Sequence, residues 1–209
     1  MRETSTELQP SAHQLRYGKA AESVTHVAAP LLAGGAVAML GGVAADAEKF
    51  RWPDQALLLL AAAGVLLVAC VQWGFRARPY LYSLKEVEDW RGAPLTGAER
   101  AAHLEQQRED LGRWRRGANL AAASYNLGIV ALGVAVALLL APPPQPEAAA
   151  GAAWRWAAFG IVLTASVAEL LWTLLEWGDG AALRLEQHWR LRRARNRAQR
   201  LARTGEQRR

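Results

Sequence analysis

Residues 56–75 read ALLLLAAAGVLLVACVQWGF, twenty positions with no charge and with Gln72 as the only strongly polar side chain. A helix of that length rises about 30 Å, the thickness of a bilayer's hydrocarbon core, and a charge-free run of this length exceeds what a buried helix in a soluble protein normally carries. Working outward, three further stretches have the same character, at 24–45, 118–141 and 154–177. Only the last contains Asp, Glu, Lys or Arg: Arg155 at its start, then Glu169 and Glu176. The mean hydropathy of −0.03 averages these runs with Arg-rich connectors and hides them. The pattern predicts an all-α polytopic membrane protein: four transmembrane helices as two antiparallel hairpins, with cytoplasmic amphipathic helices besides.

Charge orients the chain. Of 25 Lys and Arg residues, three fall in 1–23, nine in the connector 76–117 and ten in the tail 178–209. The two remaining connectors and the mouth of the fourth span hold only Lys49, Arg51 and Arg155. Because Lys and Arg beside span ends are retained in the cytoplasm, both termini and the central connector are expected there. The expected organisation is a cytoplasmic segment 1–23, a first transmembrane hairpin 24–75, a helical connector 76–117, a second hairpin 118–177 and a basic C-terminal helix 178–209. A cleaved signal peptide does not fit the first span, because its polar leader and apolar run are both too long. Arg outnumbers Lys 22 to 3 and Ala is abundant, a bias that suggests a GC-rich bacterial genome and hence a bacterial inner membrane.

The outer connectors, about ten residues each, turn through Phe50-Arg51-Trp52-Pro53 and through Pro142-Pro143-Pro144-Gln145-Pro146. Proline cannot continue a helix and stiffens both turns. Trp52, Trp154 and Trp156 suit an outer aromatic belt, and Tyr17, Trp73, Trp114 and Trp177 an inner one. Trp-Gly closes both halves, at 73–74 and 177–178, and a basic segment precedes each, so tandem duplication is a further expectation.

In the central connector Tyr80, Leu84, Val87 and Arg91 recur at helical spacing, and Gly92 with Pro94 stops the run. Thr96 and Glu99 then match a capping box opening a second helix, whose narrow stripe is Ala101, Leu104, Leu111 and Trp114. In the tail, Leu191, Ala194, Ala198 and Leu201 form an apolar line flanked by Arg190, Arg192, Arg193, Arg195, Arg197, Arg200 and Arg203. An anionic leaflet attracts such residues at roughly 1 kcal/mol each, so membrane lipid or an acidic protein partner is expected there. No nucleic-acid reading motif accompanies the arginines.

Glu169 is the most suggestive single residue, since insertion scales put an ionised group near mid-span at roughly 2.5–3.5 kcal/mol. Ser166, Glu169, Thr173 and Glu176 follow helical spacing into a polar seam, and Ser124, Tyr125 and Asn126 lie at matching depth in the third span. A hydrogen bond from Asn126 or Tyr125 to Glu169 is expected, with burial raising the Glu169 pKa. Such a seam either locks helix packing or lines an ion path, to which His26 is a further candidate. Small-residue rows, Gly34/Ala38/Gly42 and Ser124/Gly128/Ala131/Ala135, predict close helix approach within or between chains. Pro30 predicts a kink near the start of the first span.

Cys70, the single cysteine, lies within a span, so neither a disulfide framework nor a thiolate metal site is expected. No nucleophile–base pair, metal-ligand set or phosphate loop appears, and neither an enzyme nor a cofactor is expected. The leading expectation is a non-enzymatic inner-membrane protein that assembles, as a homo-oligomer or with a membrane partner, through its helices and offers a basic cytoplasmic surface. The alternative is an oligomeric channel or pore-forming effector using the Glu169 seam.

Overall fold

The computed structural model describes residues 23–143 and 151–175, which form five helices. We label them α1 (Val24–Ala45), α2 (Pro53–Ala77), α3 (Leu84–Arg91), α4 (Gly97–Leu140) and α5 (Ala152–Leu175). Four of them, all but α3, are long and apolar enough to cross a membrane.

Local chemistry accounts for the ends. Pro30 has no N–H to return to the carbonyl four residues back. The chain opens α1 with a π-helical turn, Val24–Ala28, in which Ala29 N–H donates to the Val24 carbonyl. The disturbance expected from Pro30 takes this form. Pro53 occupies the first position of α2, where a missing N–H costs nothing, and Asp54 sits in the positive first turn. Ser83 caps α3 reciprocally with Glu86: the Glu86 N–H donates to Ser83 Oγ at 3.2 Å and the Ser83 N–H to Glu86 Oε2 at 2.7 Å. Gly92 ends α3 in the left-handed region, φ 73°, where a Cβ would be strained. Glu99 reaches back to Thr96 as expected, accepting from its N–H at 3.0 Å and its hydroxyl at 2.8 Å.

Two boundaries differ from expectation. Tyr80 lies in a separate 3₁₀ turn, Arg78–Tyr80, because Pro79 interrupts the helix ladder. More consequentially, α4 runs unbroken for 44 residues through position 117, joining the second connector helix to the third span. Nothing between Trp114 and Leu120 stops a helix, since Gly117 alone weakens one by only about 1 kcal/mol. The rod is about 66 Å long, of which roughly 30 Å precedes the apolar stretch.

The chain divides into two compact units, the first ending at Ser166 and the second beginning at Val167. In the first unit α2 is the central helix. Its buried positions Ala56, Leu60, Ala63, Leu67 and Cys70 repeat at alternating steps of four and three, and Ala77 follows two turns on. The most extensive contact joins α2 to α4, and the next joins α2 to α1. One layer gathers Ala29, Ala33, Leu67, Cys70 and Ala121, and another gathers Val43, Leu60 and Ala135. Large apolar side chains face outward, Leu31, Leu58, Val65 and Ile161 each being 70–71 % exposed. A water-soluble bundle would bury them; lipid tails solvate them.

Three glycines set the close approaches. A Cβ on Gly117 would come within 2.7 Å of Ala77 Cβ, one on Gly128 within 2.9 Å of Leu67 Cγ, and one on Gly74 would collide with Thr25. The row Ser124/Gly128/Ala131/Ala135 is therefore spent on packing against α2 inside the chain. Around Gly34 and Gly42 of the other row there is open space, and Ala38 is exposed.

Candidate functional site

The seam residues occupy different environments. Ser166 is buried and its hydroxyl donates to the Val162 carbonyl one turn back at 2.9 Å, a bond within its own helix. α4 comes against it so closely that a Cβ on Gly133 would collide with Ser166 Oγ. Thr173 is buried, and its Oγ1 has no hydrogen-bond partner among the described residues. The Glu169 side chain is exposed, which departs from the burial expected for it. Helix geometry gives the reason. At about 100° per residue, position 173 returns to within about 20° of position 166, whereas 169 lies about 60° to one side. Glu169 thus lies at the edge of the stripe, about 60° from Ser166 and about 40° from Thr173.

Ser124, Tyr125 and Asn126 are half-buried on α4, and Tyr125 packs beside the layer of Ala29, Leu67 and Cys70. They belong to the first unit and Glu169 to the second. His26 falls in the π-helical turn of α1 and is exposed. Glu176 and the arginines at 190, 192, 193, 195, 197, 200 and 203 lie outside the described residues.

At the end of the bundle where α2 and α5 begin, Arg51 places its guanidinium 5.2 Å from the Trp52 ring centre and 5.6 Å from that of Trp156. Phe159 meets Trp156 edge-on, centroids 5.4 Å apart, and Trp52 at 6.2 Å. Arg155 Nε donates to the Leu140 carbonyl at 3.4 Å. Trp52 and Trp156, read from the sequence as belt anchors, thus join Arg51 and Phe159 in one clasp, while Trp154 is exposed. No spacing rule joins residues a hundred positions apart.

At the other end, α3 is strapped to α4. The Tyr82 hydroxyl donates to Asp110 Oδ2 at 3.1 Å, Gln107 Nε2 donates to the Tyr82 carbonyl at 2.9 Å, and Arg91 bonds Glu99 at 2.9 Å. Arg91 and the two Thr96 donors hold the Glu99 carboxyl at about 2, well below its ordinary value. Burial, then the bond to Asp110, pushes the Tyr82 phenol upward. Asp110 is buried and also accepts from Arg113 at 3.4 Å. Of the stripe expected on this part of α4, Ala101 and Leu104 are exposed and Leu111 and Trp114 half-buried; His103 and Gln107 are also half-buried, and Asp110 is buried.

Fold and site together define a class, an all-helical protein with four helices able to cross a membrane. Comparison with protein-family models, curated proteins and solved structures finds no match.

Proposed function

We propose that this chain is a non-enzymatic protein of a bacterial inner membrane, with both termini cytoplasmic, that assembles through its transmembrane helices and presents a basic cytoplasmic surface to lipid or a protein partner. Its spans form two antiparallel hairpins, with α3 and the first half of α4 in the cytoplasm. The retention of Lys and Arg on the cytoplasmic side supports the orientation. The Arg51–Trp156 clasp supports a common side for the two short connectors, and the order of residues in the two packing layers supports antiparallel neighbours.

The observation that carries assembly is the open row Gly34/Ala38/Gly42 on α1. Small residues let helix backbones approach in lipid, and the equivalent row on α4 is already covered. Ala38→Cys in a Cys70→Ala background should form disulfide-linked dimers in membranes. Val65→Cys, equally lipid-exposed on α2, should not. Gly34→Leu with Gly42→Leu should abolish the Ala38→Cys product, and absence of any such product would reject assembly along α1.

One observation favours a second reading, an ion path. Glu169 is exposed on a span where lipid cannot solvate a carboxylate, so a neighbouring copy or a water-filled path would have to solvate it. Liposome ion flux that disappears with Glu169→Gln would favour a channel. Unchanged background flux with altered oligomer size would assign Glu169 to packing.

A further inference from the structure

The Gly117–Ala77 contact has a consequence for charge. It seats the end of α2 against the middle of α4, so Arg76 and Arg78 come level with Arg113, Arg115 and Arg116 although nearly forty residues separate the two groups. Arg76 directly follows the apolar stretch of α2, and Arg115 and Arg116 directly precede that of α4. Five guanidinium groups, four on the two helices and Arg78 on the 3₁₀ turn after α2, thus gather near the level where hydrocarbon gives way to headgroups.

We propose that this collar is a binding site for the phosphate of an anionic phospholipid; the proposal rests on the orientation argued above and gives the basic surface its ligand. Two guanidinium groups are held in advance. Arg76 lies 5.5 Å from the centre of the Trp73 ring and Arg113 lies 5.7 Å from that of Tyr80. Stacking on an aromatic face leaves the N–H fork at the guanidinium edge directed outward, the edge that matches a phosphate's paired oxygens. Within the collar, Arg113 bonds Asp110 at 3.4 Å. Arg76, Arg115 and Arg116 are exposed and have no ion pair among the described residues. Phe75, beside Arg76, is also exposed, an apolar side chain placed for the acyl chain of the lipid whose headgroup the arginines hold.

Charge along the rod selects lipid over a long polyanion. Beyond the collar, residues 82–109 carry six carboxylates against four Lys and Arg. A nucleic acid or extended acidic protein following α4 would meet repulsion after one turn, whereas a leaflet presents its phosphates at a single level. Inner-leaflet basic pockets between spans are recognised sites for anionic headgroups.

Native mass spectrometry of the full chain in detergent, offered equal phosphatidylglycerol and phosphatidylcholine, tests this. The parent should retain phosphatidylglycerol at least fivefold over phosphatidylcholine. Arg76→Gln/Arg115→Gln/Arg116→Gln should lose the preference, and Arg190→Gln/Arg192→Gln/Arg193→Gln should keep it. All three collar positions are exposed, so helicity and elution volume should match the parent; should the triple variant aggregate, Arg115→Gln/Arg116→Gln alone should halve the preference or more. A preference lost only with the tail variant overturns the collar site while leaving a lipid-binding basic surface intact. Absence of preference in the parent overturns the lipid ligand altogether, leaving a protein partner for that surface. Displacement of the lipid by inorganic phosphate at equal concentration would identify a soluble-anion site and overturn the proposal.

Discussion

At the residue scale, this molecule is decided by where a Cβ is absent. Gly117→Leu must push Ala77 away, and overpacking of this kind costs about 1–3 kcal/mol. We expect a lower melting temperature in detergent and, through the displaced arginines, weaker anionic-lipid retention. Gly112, five residues earlier on the same helix, has open space around it. Gly112→Ala should raise stability by up to about 1 kcal/mol, since only the helix preference of the backbone changes. Equal effects from the two substitutions would show that the Ala77 contact does not constrain the bundle. None of this was legible beforehand. Gly112 and Gly117 read alike in the sequence, as did Gly34 and Gly128, because a small residue permits close approach without naming the neighbour.

At the scale of elements, the strap between α3 and α4 is a local electrostatic device. Glu99 is held at about 2, so its contribution is complete above its ordinary value near 4.5 and is lost as pH falls from there toward 2. Both partners are substantially exposed, and salt should weaken the effect. Protection of the amides in 84–96, taken against the intrinsic exchange rate at each pH, should therefore fall between pH 4.5 and pH 2 in the parent. In Glu99→Gln protection should be low throughout this range; an unchanged profile would mean that the Arg91–Glu99 bond does not hold α3. The capping residues were readable from sequence because a cap depends on neighbours three positions apart. The continuity of α4 was not, since change of solvent along a helix requires no break in its backbone. Spin labels at Arg100→Cys and Leu127→Cys, with Cys70→Ala, should report about 40 Å in a narrow distribution, as a continuous helix requires. A shorter or broad distribution would indicate a bend at the membrane surface.

At the scale of the whole molecule, two predictions separate threading from packing. Lys49→Cys in a Cys70→Ala background should react with an impermeant thiol reagent added outside intact cells, and Glu109→Cys only after the cells are opened. The reverse pattern would overturn the orientation and, with it, the inner-leaflet lipid site. The sequence alone determined that four segments seek lipid, that arginine is crowded into alternate connectors, and where α4 begins. These follow from transfer free energies and from contacts a few residues apart. Tertiary structure alone decided that α2 is the central helix, which glycines meet a neighbouring helix and which stay open, that Ser166 and Thr173 are buried while Glu169 is exposed, and that Ala77 meets Gly117. The physical reason is that a helix in lipid is apolar on every side. Hydrophobic periodicity, which marks the buried face of a soluble helix, loses its contrast there, and only the fit of one helix surface against another selects the face that is covered.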